Sequence, residues 1–142
     1  MNNLVGTWKL EKNVNFGQFL EFFGYNWLRR KAALVSNIDL SLMPTSQEGV
    51  YKRKIDSTFM KDKESYIVDG KPYNNDKDLT KIHKIEGDML VSTISGKPNG
   101  LKKEIKWTET IQIQNGNMVI CRMWDKDGKT VGCRQIFSKR SL

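Results

Sequence analysis

The sequence predicts an all-β fold: about ten antiparallel strands with two short helices inserted between the first strand and the second. Three observations predict it. From residue 38 onward apolar and polar residues alternate with period two. Glycine-bearing turn signals, among them Asn115-Gly116 and Asp127-Gly128, separate the alternating runs. Residues 15–36 break that rhythm with helical spacing of their apolar side chains. Strand periodicity by itself leaves barrel and sandwich open, but the order of elements suits a closed barrel under a helical lid. A sheet of ten strands must curl, and closure removes its exposed edges.

Val5 to Leu10 reads as the first strand. Asn15 stands where a helix N-cap belongs, Phe16, Phe19, Leu20 and Phe23 share one helical face, and Gly24 supplies the stop. A second helix is predicted from Asn26 to about Ser36, with Trp27, Ala32 and Val35 inward and Arg29, Arg30 and Lys31 toward solvent. Ile38-Asp39-Leu40-Ser41-Leu42 alternates as a half-buried strand should. Further strands are expected near 49–55, 57–60, 64–68, 79–85, 88–94, 101–113, 117–124 and 130–139. Turns fall at Gly70, Gly87-Asp88, Pro98-Asn99-Gly100, Asn115-Gly116 and Asp127-Gly128. A barrel this wide holds more interior than its own side chains fill, so a ligand cavity is expected.

The 142 residues fit a single domain, 1–142, with no linker, repeat or low-complexity stretch. Mean hydropathy is -0.57, and no segment approaches the roughly 20 apolar residues of a spanning helix. The N-terminus lacks a basic-then-apolar signal, which makes cytoplasmic residence the expectation. Cys121 and Cys133 form neither a disulfide framework nor a metal site, and reduced thiols are expected. The net charge of +8 asks for an anionic partner: nucleic acid, anionic headgroups or acidic ligands. Lys and Arg are spread along the chain without a long like-charge run, which argues against nucleic acid.

Gly6-x-Trp8 with Asn15-Phe16, and Arg30-Lys31 in the second lid helix, resemble the N-terminal signature of the intracellular lipid-binding proteins, the fatty-acid-binding and cellular retinoid-binding family. Gly17 departs from that pattern, where an acidic residue is usual. Ser57-Thr58-Phe59 is similar to the family's portal segment. Ile85-Glu86-Gly87-Asp88-Met89-Leu90 and Asn115-Gly116-Asn117-Met118 resemble two of its hairpins, and Cys133-Arg134-Gln135-Ile136-Phe137-Ser138-Lys139 its last strand. The resemblance spans the chain and weakens at 60–80 and 122–132. It implies a ten-stranded up-and-down antiparallel β-barrel, the β-clam, whose two-helix lid lies between the first two strands. It also implies an intracellular carrier, monomeric and without cofactor, that binds a fatty acid or retinoid reversibly.

Fatty-acid binders of that family hold the carboxylate with arginines and a tyrosine on the last strands, because a carboxylate leaving water needs a cation and hydrogen-bond donors. Here Gln135 and Phe137 stand in the matching places, which resembles the cellular retinol-binding branch, where a glutamine amide serves a neutral headgroup. Arg134 should face outward by alternation. On the strand before Asn115-Gly116, the face bearing Ile105, Trp107, Glu109, Ile111 and Ile113 is the inward one. Glu109, or Ile111 in a competing alignment, takes the second headgroup position. An acid there repels a carboxylate unless neutralised. Alternation puts Arg122 on the inward face of the next strand, so a Glu109–Arg122 contact is expected; a one-residue slip would instead leave both charges solvated.

The residues expected to bind ligand are therefore Gln135, Phe137, Glu109, Trp107, Arg122, Ile111, Phe59, Phe16 and Leu20, with Arg29, Arg30 and Lys31 at the portal facing anionic membranes. Trp8 should plug the barrel bottom. His83 has no partner for a triad or metal site and is expected on a strand surface. Asp125-Lys126-Asp127-Gly128 lacks the later ligands of a calcium loop. No nucleophile–base pair, metal cluster or phosphate loop points to an enzyme. The alternatives are a fatty-acid carrier using Arg122 or Arg134 for the carboxylate and a β-barrel binding nucleic acid through its outer charge.

Overall fold

Strand β1 (Gly6–Val14) runs directly into helices α1 (Phe16–Phe22) and α2 (Trp27–Leu34), and β2 (Ile38–Pro44) returns alongside β1. Then follow β3 (Val50–Ser57), β4 (Lys61–Ile67), β5 (Tyr73–Asn74), β6 (Leu79–Glu86), β7 (Met89–Gly96), β8 (Ile105–Gln114), β9 (Asn117–Lys126) and β10 (Lys129–Lys139). A computed structural model describes residues 1–75 and 78–140. Among them ten strands form one antiparallel sheet ordered β4-β3-β2-β1-β10-β9-β8-β7-β6-β5. Pairing of β1 with β10 joins the two ends of the chain and curls the sheet into a nearly closed barrel.

The free edges, β4 and β5, leave a seam that side chains bridge. Lys81 Nζ lies 2.8 Å from Glu64 Oε1, Asn75 donates to Glu64 Oε2 at 3.2 Å, and the Tyr66 ring stacks on His83 with centres 3.7 Å apart. Edge strands short of ladder partners are thus closed mainly by buried side-chain contacts, with one backbone bond from the Gly70 N–H to the His83 carbonyl at 2.9 Å just beyond β4.

Two apolar clusters divide the interior. The floor gathers Leu4, Trp8, Leu40, Leu42, Leu90, Met118 and Phe137. Trp8 is the expected plug, donating from Nε1 to the Leu4 carbonyl at 3.0 Å. Under the lid lie Phe16, Phe19, Leu20, Ala33, Ile94, Trp107 and Trp124.

Several expectations shift. The first strand extends to Val14, with a bulge between Leu10 and Lys12. Residues 58–60 are a turn, not a strand: Ser57 Oγ accepts from the amides of Phe59 and Met60 at 3.1 and 2.8 Å. The missing strand is the two-residue β5, too short to alternate. The strand placed at 101–113 starts only at Ile105. Asn15 holds the N-cap position in the left-handed region (φ 64), and its side chain caps nothing in the helix; it donates instead to the Gly132 carbonyl at 2.9 Å, tying α1 to β10. Helix α2 is turned relative to its predicted face. Trp27 and Val35 are 60% and 84% exposed, Ala32 is exposed, and Ala33 is the residue that points inward. The phenylalanines of α1 already occupy the space beneath the lid, which leaves room for a methyl group and not for an indole. Gly17 lets Leu34 approach α1, its Cδ1 3.3 Å from where a Cβ would stand.

Cys121 and Cys133 are both free thiols. Each lies on the opposite face of the sheet from the other, Cys133 inward, so no bridge between them is available.

Candidate functional site

Between floor and lid is a cavity of about 620 Å³. Its apolar wall comes from α1 (Phe16, Phe19 and Leu20), Phe23 at its C-cap, Phe59 of the β3–β4 turn and Trp107. Phe19 is the hub: its ring lies 5.4 Å from Trp107 and 5.6 Å from Trp124, both edge-on. Trp107 Nε1 is the one buried side-chain polar atom with no hydrogen-bond partner among the described residues.

The polar wall is set by alternation. On β8 and β9 Glu109 and Arg122 are direct cross-strand partners, one step lidward of the Ile111–Ile120 pair and one step floorward of the two tryptophans. Arg122 Nε lies 2.8 Å from Glu109 Oε1; the expected contact forms. Arg122 Nη1 also donates to Gln135 Oε1 at 2.7 Å, and Gln135 Nε2 donates to Asn13 Oδ1 at 3.1 Å. The Arg122 guanidinium is 5.4 and 5.1 Å from the centres of Phe16 and Phe19. Burial pushes the Glu109 carboxyl up, but Arg122, Arg53 and Lys81 outweigh it and hold the group below its ordinary value.

A second cluster faces it from β3, β4 and β6. Arg53 and Glu64 are cross-strand partners, with Nη2 to Oε1 at 3.0 Å. Lys81 shares the same carboxylate oxygen, and Asp62 lies 3.9 Å from Arg53. Burial raises the Glu64 carboxyl, yet Arg53 and Lys81 overcome it and bring its pKa to about 2. Sequence reading missed Arg53, Glu64 and Lys81. The signal was there in parity: Arg53-x-Ile55-x-Ser57 and Glu64-x-Tyr66 alternate as inward residues with charge among them.

Of the residues predicted to bind ligand, Gln135, Phe137, Glu109, Trp107, Arg122, Phe59, Phe16 and Leu20 line the cavity. Ile111 does not; it is buried in the floor cluster. Arg29 lies at the mouth, its guanidinium 4.5 Å over Tyr25, whereas Arg30 donates to the Tyr25 carbonyl at 2.8 Å and Lys31 lies over Trp27. Arg134 is exposed on the outer face, which removes it as a carboxylate partner. His83 is the clearest correction: expected at the surface, it is 0% exposed. The inward residues of β6 are Leu79, Lys81 and His83, so the polar parity is the buried one.

Intestinal fatty acid-binding protein of Bos taurus is 32% identical over 99 residues, which cover 67% of this chain and 73% of that protein. The chain belongs to the fatty acid-binding protein family. The intestinal fatty acid-binding protein of Rattus norvegicus is 30% identical over 118 residues, 75% of this chain and 85% of its own length. Lipid binding protein 8 of Caenorhabditis elegans, in its apo crystal structure, superposes with a TM-score of 0.83 at 20% identity, covering 99% of this chain and 97% of that one. No family model matches the chain. In this fatty acid-binding protein family member the cavity wall holds a glutamine and a paired Glu–Arg, Gln135 with Glu109 and Arg122, where the resemblance implied arginines and a tyrosine.

Proposed function

We propose that this protein is a cytoplasmic, monomeric carrier that holds a small hydrophobic ligand of the fatty acid or retinoid class reversibly and non-covalently, with no cofactor and no catalytic step. The 620 Å³ cavity between an aromatic lid and a polar wall carries the reading. Its relatives are named fatty acid-binding proteins. Burying ten methylenes at about 0.8 kcal/mol each is roughly 8 kcal/mol, on the scale of micromolar binding, and a longer chain adds to it before ordering costs are subtracted. In this reading the chain of the ligand lies against Phe16, Leu20, Phe59 and Trp107, and its polar end meets Arg122, Gln135 and Glu109. Trp27 and Leu28 on α2 and Val35 at its C-cap are exposed beside Arg29 and Lys31, a combination suited to brief contact with an anionic bilayer.

Mass spectrometry of lipid extracted from the natively purified protein tests the reading. A stoichiometric long-chain lipid or retinoid is expected; a protein that neither retains nor takes up any such molecule overturns it. The second reading, a fatty acid held by its carboxylate on Arg122, is favoured by the names of the relatives. It requires Arg122→Ala to abolish fatty acid binding while Gln135→Ala leaves it intact.

A further inference from the structure

We propose that the cavity selects an amphiphile whose polar end carries no net charge and presents hydroxyl groups, such as a glycerol ester of a long-chain acid, over the free carboxylate; the inference rests on the carrier reading above.

The charges on the wall are already balanced. Among the described residues three cations, Arg53, Lys81 and Arg122, and three carboxylates, Asp62, Glu64 and Glu109, line the cavity with side chains no more than 20% exposed. Each cation has a carboxylate oxygen within 3.0 Å. A fatty acid anion entering this wall adds a net negative charge in a poorly solvated space, or must strip a cation from its present partner and leave that carboxylate buried and unmatched. The remaining cations touching the cavity, Arg29, Lys61 and Lys97, are exposed at its mouth, where water and salt screen them.

What the wall still offers is hydrogen-bonding capacity of the opposite kind. Carboxylates accept at about four lone-pair sites; those of Glu64 already meet Arg53, Lys81 and Asn75, whereas Glu109, which lines the cavity opposite, keeps acceptor sites beyond its ion pair with Arg122. A hydroxyl can donate to them; a carboxylate anion has no proton to give. Because polar groups of β3, β4, β6, β8, β9 and β10 line the cavity, a polar end with several oxygens engages more of them than a single hydroxyl.

The test is isothermal titration of the delipidated full-length chain at pH 7.5 with 1-oleoylglycerol and with oleate, which share one hydrocarbon chain. The ester should bind at least tenfold tighter. Glu109→Gln, which leaves Arg122 without its carboxylate, should raise oleate affinity at least tenfold and erase the preference; Glu64→Gln, freeing Arg53 and Lys81, repeats the test at the second cluster should the first variant not fold. Oleate binding as tightly as the ester to the wild-type chain overturns the headgroup inference and leaves the carrier reading standing. Failure of both lipids to bind overturns the headgroup inference, and the carrier reading falls with it only if retinol is not taken up either.

Discussion

His83 illustrates how much a single inward polar side chain can control. Its Nδ1 is 2.5 Å from Ser92 Oγ and its Nε2 2.8 Å from the Tyr73 hydroxyl, with Tyr66 stacked on the ring. Burial pushes the imidazole from 6.5 down to about 4. Between those values the unfolded chain binds a proton that the folded one refuses, so stability falls as pH drops through that window, by about 3 kcal/mol. Glu64, lowered from 4.5 to about 2, adds a further loss beginning below pH 4.5. Urea midpoints measured at pH 7.5 and pH 5 should therefore differ markedly in the wild-type chain and much less in His83→Gln. Equal differences in both proteins would mean the ring is not what makes the seam acid-sensitive. None of this was readable from Lys81-Ile82-His83-Lys84, since apolar residues fall on both parities of that strand, Leu79 and Ile85 with His83 and Ile82 on the other, and lysines stand on each. The Glu109–Arg122 pair was readable, because β8 alternates Ile105, Trp107, Ile111 and Ile113 around Glu109 and fixes its parity, and Met118, Ile120 and Trp124 share the parity of Arg122 on β9.

At the scale of elements, the lid is held by aromatic contact more than by hydrogen bonds. Phe19 touches Phe16, Phe22, Phe23, Trp107 and Trp124, and Phe19→Ala should cost about 3 kcal/mol in urea unfolding, the range of a large ring removed from a packed cluster. A loss under about 1 kcal/mol would show that α1 repacks around the gap. Gly96 ends β7 with φ +154, and a Cβ there would run into the Asp78 carbonyl and Leu79, so Gly96→Ala should destabilise as well. Long alternating strands and the α1 face were legible because one physical signal dominates each. Ser57-Thr58-Phe59 was not, since β-branched and aromatic residues suggest a strand while the serine hydroxyl builds a turn. Helix α2 misled for a related reason: its apolar residues were assigned to the core, but the core beneath the lid was already filled from α1, and Trp27, Leu28 and Val35 were left outside.

For the whole molecule, that outward apolar patch and the net charge of +8 act together. Lys31 lies 4.4 Å over the Trp27 ring and Arg29 over Tyr25 and Phe59, so the cations border the apolar side chains that would enter a headgroup layer. Each basic residue near an anionic surface contributes about 1 kcal/mol of attraction, and the effect fades within a Debye length of about 8 Å at physiological salt. Transfer of a bound fluorescent lipid from the protein should then be faster to vesicles containing phosphatidylserine than to neutral ones, and should slow as sodium chloride rises. Reversing Arg29 and Lys31 to Glu should reduce the rate to anionic vesicles at least tenfold while leaving the affinity for ligand in solution nearly unchanged, because Lys31 does not line the cavity and Arg29 reaches only its exposed mouth. Rates indifferent to vesicle charge, salt and these reversals would place the escape of ligand in free water, with the lid patch playing no part in it.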